Sequence, residues 1–478
     1  MRTRLEAKRK EAEKQARIQA EVERIEAEKR AIEEAKERER SAVFCTLLLD
    51  ENMPELRRMD HDEKMSFRAQ VAMRLGLHVS QVELSFKRES LAVQARLVDF
   101  RTLDVYQDPS KEWKKVNDYE VKAILSSPNA DLPIALGTFH FKILQEGTTD
   151  FSTAVGTGPY KVKEFKPGVR TIGERFGNYW GEGGYLDEIE HFGIGDPVAR
   201  LNAFLAGDVD AMVNLPPKAI GQVESAPGKS VWSLESSAYI NIACRKDMDM
   251  SGNQDLIMAM KYLMDRERLV KGVFKGQASL GNDQPIGPAY FDHSPDIPQR
   301  MLDPDKAKYH FDKSGIGNTT VPIVAAEVAP GAVEQCLFLQ REAAKIGMNV
   351  DVQKVTTDGY WGAVWLKAPM CVVSWNMRPT ANLMMTLAFK SDAAWNETYH
   401  QDPEFDKILV EVRGVTDPAK RKEMYHTLQE KIHNENGTVL PAYRNYVDAV
   451  SDKVKGLTHV PLNNFGGAEA PVTMWLDA

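Results

Sequence analysis

Residues 321–355 read VPIVAAEVAPGAVEQCLFLQREAAKIGMNVDVQKV. Val321 to Ala326 is an apolar run of strand length, and a helix-forming stretch follows from about Val333 to Ile346. Gly347 stands where a helix is commonly closed by a left-handed residue, and Val350 to Val355 is a second strand. Strand, helix and strand in immediate succession form the unit from which α/β sheets are assembled. The same alternation runs outward from this unit. Pro197 to Ala206 reads as a helix closed by Gly207, Val209 to Leu215 as a strand, Tyr239 to Ala243 as a strand, and Asp255 to Phe274 as a longer helix closed by Gly276. From Val116 to the last residue the pattern predicts an α/β fold.

The 478 residues are enough for two or three domains with a substantial core. Hydrophobic residues at 43% and charged residues at 27% fit a globular protein, excluding a fibrous or wholly disordered class. The formal net charge of -8 gives no electrostatic reason to expect nucleic acid as a partner. Cys45, Cys244, Cys336 and Cys371 lie far apart with no C-x-x-C pair, so buried free thiols are expected in place of a zinc site or redox pair. No apolar run reaches transmembrane length. The first residues, Met-Arg-Thr-Arg followed by alternating charges, have no apolar core and no small-residue cleavage site, so no secretion signal is expected in the chain as it stands.

Residues 1–42 form a charged segment without Gly, Pro or aromatic residues. Glu6 with Lys10, Glu13 with Arg17, Glu26 with Arg30 and Glu34 with Arg38 are favourably oriented i,i+4 pairs, so the segment reads as a helix. Ile18, Val22, Ile25 and Ile32 leave two readings open, a solvated helix and a coiled coil that self-associates. Residues 43–101 read as a small β-α-β-β module. Its strands are Val43–Leu49, Gln81–Lys87 and Leu91–Val98, with a helix starting at Asp60 or Asp62 and ending at Gly76. The polar, proline-containing stretch from Asp108 to Lys115 reads as a linker.

Enzyme motifs fail on spacing. Six residues separate Gly221 from Gly228-Lys229-Ser230, where a phosphate cradle needs four. There is no G-x-S-x-G, H-E-x-x-H, EF-hand loop or G-x-G-x-x-G, and the histidines are scattered. No catalytic residue, metal site or cofactor is expected.

Four stretches carry a resemblance. They are Gly156-Thr157-Gly158-Pro159-Tyr160 running through Phe165-Lys166-Pro167-Gly168 to Asn178-Tyr179-Trp180; Ala199-Arg200-Leu201-Asn202-Ala203-Phe204-Leu205-Ala206-Gly207-Asp208-Val209-Asp210; Met264-Asp265-Arg266-Glu267 with Gly276 beyond it; and Asp417-Pro418-Ala419-Lys420-Arg421 to Tyr425, followed by the late strand at Leu440-Pro441. In this order they resemble family 5 of the bacterial extracellular solute-binding proteins, the peptide-binding group, over about residues 113–478. The resemblance implies a two-lobe periplasmic-binding-protein-like fold of type II that takes a peptide into the cleft between its lobes. It also implies ABC permease subunits as partners and a periplasmic or extracellular location. Lobe I is expected over 113–245 plus 434–478 and lobe II over 246–433. Family members carry a further stretch of lobe I ahead of the matched part, so lobe I is expected to be incomplete here. An intracellular fusion or scaffold with a vestigial binding fold is the second reading.

In the resembling binders a Trp is followed closely by an Asp that captures the ammonium end of the ligand. Here Ser374-Trp375-Asn376-Met377-Arg378-Pro379-Thr380 keeps the Trp and places Arg378 at or beside the Asp. A guanidinium complements a carboxylate or phosphate, so an inward-facing Arg378 implies an anionic ligand such as an opine-like metabolite. Tyr239, Asn241, Asn282 and Asp283 are the other ligand-binding candidates, with Trp375 and Asn376, for the rings and polar groups they offer.

Overall fold

The computed structural model describes residues 128–136 and 155–477 apart from 468, together with the strands Val43–Leu49, Leu91–Leu97, Ser110–Asn117 and Glu120–Leu125. The expected charged helix over 1–42, the helix after Asp60 and the strand at 81–87 lie outside the described residues. Val43–Leu49 pairs antiparallel with Leu91–Leu97, putting Val43 opposite Leu97. The stretch expected to be a linker is instead a strand, Ser110–Asn117, paired antiparallel with Glu120–Leu125. Its charged residues hid an extended segment containing Trp113 and Val116.

The structure is organised by a seven-stranded mixed sheet. Its main path runs from Ala278–Leu280 at one edge through Thr438–Ser451, Lys229–Cys244, Met370–Trp375 and Val321–Ala325 to Val350–Lys354, and the short strand Ala211–Met212 also pairs with Thr438–Ser451. The 321–355 unit forms as expected, two parallel strands joined by the helix Ala332–Lys345. Val321–Ala325 lies parallel to Met370–Trp375, which in turn is antiparallel to Lys229–Cys244.

Side chains on a strand point alternately to opposite faces, and here both faces are buried. Met370 and Val372 enter one core with Ile240, Ile242 and the helices Gln254–Leu263, Pro304–Ser314 and Ala332–Lys345. Cys371, Val373 and Trp375 enter the other, with Tyr239 and the helices Ala381–Ala388, Pro403–Val412 and Pro418–Glu435. Cys244, Cys336 and Cys371 are buried free thiols, and burial pushes the Cys244 thiol up to about 12. A third core lies apart from these two. It is formed by Leu201, Phe204, Met212, Leu215 and Val223 with Val447 and Ala449 from the far end of Thr438–Ser451. The two longest strands, Lys229–Cys244 and Thr438–Ser451, therefore join both bodies. Their register slips twice, between Val439 and Ala442 inside the sheet and between Arg444 and Tyr446, between the two bodies. Among the described residues no helix is long and apolar enough to cross a membrane.

Two elements differ from expectation for local reasons. The helix expected over Asp255–Phe274 is two helices, Gln254–Leu263 and Arg266–Gly272. Asp265 separates them, its carboxylate accepting the Arg268 amide at 3.0 Å as an N-cap. The strand expected over Val209–Leu215 shrinks to Ala211–Met212, because Asn214 adopts the left-handed region at φ 56° and ends the extended run.

A charged cluster is sealed inside the larger body. Asp283 Oδ2 accepts from Arg266 Nη2 at 2.7 Å and from Arg300 Nη1 at 2.6 Å, and its Oδ1 accepts the Leu440 amide at 2.9 Å. Burial acts to raise the Asp283 pKa, but the two guanidiniums, with Lys261 and His433 nearby, outweigh it and hold the value below the usual range. Removing one partner of a buried ion cluster leaves the others uncompensated. Asp283→Ala is therefore expected to lower unfolding free energy by roughly 3–5 kcal/mol, read as a shift of the urea midpoint.

Candidate functional site

Loops leaving the carboxyl ends of adjacent parallel strands are the usual borders of a crevice in an α/β sheet. The loop after Val321–Ala325 carries Val328 and Ala329, and the loop after Met370–Trp375 carries Asn376 and Arg378. All four line a cavity of about 450 Å³. Asn214, Asn463 and Asn464 close it from the side of the smaller body. A second cavity of about 980 Å³ lies along the same seam, bordered by Arg200, Pro217, Pro330 and Arg341 and sharing Asn214, Val328 and Ala329 with the first. Together they form a cleft between the bodies that the two long strands join.

The wall of the smaller cavity is aromatic. Trp361, Trp365, Trp375 and Trp395 all border it, and the Trp365 ring centroid lies 5.6 Å, 6.5 Å and 6.0 Å from those of the other three in that order. Buried indole N–H groups need acceptors, and Glu397 supplies one for two of them. Its Oε2 accepts from Trp365 Nε1 at 2.9 Å and Trp375 Nε1 at 3.1 Å, while Oε1 accepts from Asn241 Nδ2 at 2.8 Å. Burial pushes the Glu397 carboxyl above its ordinary pKa, and these three N–H donors pull in the opposite direction.

Arg378 and Arg444 converge on Asn376. Arg378 Nη1 donates to the Asn376 carbonyl at 3.1 Å, and Arg444 Nη2 donates to Asn376 Oδ1 at 3.3 Å. The guanidiniums lie 5.6 Å from the Trp375 ring and 5.2 Å from the Tyr446 ring respectively. Only 9% of Arg378 and 8% of Arg444 is exposed.

Of the residues expected at the site, Trp375, Asn376 and Arg378 meet at this cavity. Tyr239 and Asn241 lie beneath it. Tyr239 pairs with Trp375 across the sheet, and Asn241, fully buried, holds Glu397 and Thr438. Asn282 and Asp283 are elsewhere. Asn282 accepts the Arg300 amide at 2.9 Å, and Asp283 holds the buried arginines, so both do structural work inside the larger body. Sequence reading missed Arg444, Glu397, the three further tryptophans and the asparagines. Only the i,i+4 spacing of Trp361 and Trp365 offered a local signal.

With this geometry in view, the comparisons with known proteins decide the family. The family model described as Bacterial extracellular solute-binding proteins, family 5 Middle, matches residues 71–397. This chain belongs to that family. The match opens inside the 43–101 segment, nearer the amino terminus than the four motifs indicated. Heme-binding protein A of Haemophilus influenzae is 22% identical over 379 residues, covering 73% of this chain and 68% of that protein. The dipeptide-binding protein of Escherichia coli is 22% identical over 386 residues, covering 73% and 69%. The fold is shared with the ABC transporter-associated periplasmic binding protein DppA from Helicobacter pylori in complex with the peptide STSA. For that pair the TM-score is 0.71 at 20% identity, over 86% of this chain and 81% of the other. A mixed α/β, periplasmic-binding-protein-like architecture is thereby shown for this family 5 chain.

One carboxylate ties the cleft wall to the long strands. Asp448 on Thr438–Ser451 is fully buried and accepts from the Asn214 amide at 3.0 Å, Asn464 Nδ2 at 2.6 Å and the Phe465 amide at 2.8 Å. Asn214 and Phe465 both hold left-handed backbones, at φ 56° and 46°. Burial raises the Asp448 pKa to about 6, the N–H donors and Arg444 opposing it. Its unfolded value is near ~3.9, so folding takes up a proton between about pH 4 and pH 6 and this group lowers stability as pH rises through that window. Asp448→Asn lacks the effect. Chemical denaturation at pH 4 and pH 7 is expected to show the variant gaining on the parent by up to about 3 kcal/mol as pH rises.

Proposed function

We propose that this chain is the solute-binding component of an ABC import system, taking a small ligand into the cleft between its two bodies and delivering it to a permease. The observation that carries this reading is the position of the cleft. It lies at the seam that the two long strands cross, so both bodies contribute walls and a modest change at the crossing alters the gap. The register slip at Arg444 to Tyr446 sits at that crossing, where a pair of strands absorbs twist most readily. A ligand touching both walls favours the closed arrangement by its differential affinity for that state.

Peptides are the first ligand class to consider, since related proteins are named for peptide binding. The aromatic and amide lining suits ligands of varied side chain, because indole faces and asparagine amides accept many shapes. The place of work on this reading is outside the cytoplasmic membrane, in the periplasm or at the cell exterior.

A panel of di- and tripeptides together with small acidic metabolites tests the reading by thermal shift and small-angle scattering. A true ligand at a hundredfold excess over its Kd is expected to stabilise the fold by about 2.7 kcal/mol and to reduce the radius of gyration. A flat response across the whole panel in both measurements overturns it.

A further inference from the structure

The cavity beside the tryptophans has an electrical character that its peptide-binding relatives do not dictate. Among the described residues that line it none is Asp or Glu, whereas Arg378 and Arg444 both do. Neither arginine has a carboxylate within ion-pair range among the described residues. Each guanidinium has five N–H donors, and among the described residues each makes a single hydrogen bond, both to Asn376. The Nε of each is buried with no acceptor among the described residues. Buried charges are ordinarily paired, because removing a cation from water without an anion to replace the solvent is costly. The contrast within the same molecule is direct. Arg266 and Arg300, also buried, share the carboxylate of Asp283, although the Nε of Arg266 too is without an acceptor among the described residues.

Cation–aromatic contacts with Trp375 and Tyr446 offset part of that cost and hold the two side chains in place, but they do not neutralise them. Burial also lowers the Arg444 pKa, and Tyr446 and the buried Asp448 carboxylate act in the opposite direction without cancelling it. The unpaired guanidiniums, converging on one asparagine at the floor of a cavity, form a site for a planar anion.

We propose that the anchored group of the ligand is a carboxylate held between Arg378 and Arg444, with a flat apolar or ring-bearing body lying against the tryptophans. This inference rests on the capture reading above and names its ligand class. A free ammonium end is disfavoured at this position, since two cations and no acid face it. A planar carboxylate fits the fork of a guanidinium bidentately, and the four indoles offer faces and edges to the attached body. The carboxylate can come from the C-terminus of a peptide or from an acidic metabolite of the opine kind, and the recognition chemistry is the same.

N-acetylphenylalanine against N-acetylphenylalaninamide separates the charge from everything else, because the two probes share the ring and the acetyl group and neither has an amine. Binding is followed by thermal shift and by tryptophan fluorescence, which the four cavity indoles should report. The acid is expected to bind at least tenfold tighter than the amide. Arg378→Gln and Arg444→Gln should each erase that preference, with circular dichroism and the melting temperature without probe confirming a folded protein. Equal binding of acid and amide to the parent protein, or no binding of either, overturns the carboxylate assignment without any reliance on the variants. A peptide with a free amino terminus and an amidated C-terminus separates the two proposals: if it stabilises and closes the parent protein while the acid does not bind, the carboxylate assignment fails and the capture reading stands. A dipeptide with a free C-terminus and a sugar–amino acid conjugate then distinguish the two sources of carboxylate by relative affinity.

Discussion

The antiparallel pairing of Lys229–Cys244 with Thr438–Ser451 is the interaction on which the remainder of this molecule depends. The two strands are separated by nearly two hundred residues of chain, yet they pair from Lys229 opposite Ser451 to Ala243 opposite Thr438. Closing so long a loop costs entropy that grows only slowly with its length, and the ladder recovers it because Thr438–Ser451 and the 236–244 half of its partner are buried on both faces. At one end the ladder packs against Leu201, Phe204 and Val223. At the other it forms the middle of the seven-stranded sheet. A single ladder thereby belongs to two cores, and the cleft is the space left where neither core covers it.

The same ladder explains how the cavity is equipped. Strand alternation decides which side chains of Met370–Trp375 face which core, and it assigns Trp375 to the face that carries Tyr239, Trp395 and the helix Ala381–Ala388. One more residue brings the chain out of the sheet at Asn376, whose carbonyl and amide then gather Arg378 from its own loop and Arg444 from the ladder. The buried Glu397 is the counterpart below. It fixes two indole rings by their N–H groups while Asn241, in the strand between, fixes it. The tryptophan wall is thus held by hydrogen bonds from beneath as well as by packing, and its ring positions follow from the sheet.

Much of this was legible in the sequence wherever the signal was local. The helix Pro197–Ala206 begins and ends where its N-cap Asp196, first-turn Pro197 and Gly207 at φ 86° dictate, and the 321–355 unit reads directly from its apolar runs and Gly347 at φ 81°. The motifs that indicated the family are of this kind. Pro167-Gly168 makes the turn between two strands, and Asp417 caps the helix Pro418–Glu435. Reading failed where a local preference met a longer-range demand. Asp265 looked like one acidic residue on a continuous helix, but its carboxylate was needed as a cap, and Arg266 was needed by Asp283. Asp283 itself looked like a loop residue available to ligand because nothing nearby in sequence announces that Arg266 and Arg300 enclose it.

The site shows the same division more sharply. Trp375 and Arg378 were accessible because they sit in one short loop whose departure from the peptide-binding pattern can be read residue by residue. Arg444 was not, because in sequence it is one cation in a mostly apolar strand that also holds Asn445 and Asp448, and nothing in that pattern says which of its polar residues faces a cavity. Its meaning appears only when the ladder places it opposite Ala238, a residue too small to cover it, and beside Asn376 from a distant strand. A buried arginine across from an alanine, with Asp448 near enough to be felt but no acid in ion-pair contact among the described residues, is an unfinished interaction in the folded chain. That the unfinished valence faces a cavity, whereas Arg266 and Arg300 of similar burial are completed within the core, separates the residues that stabilise this fold from those left for something else to complete.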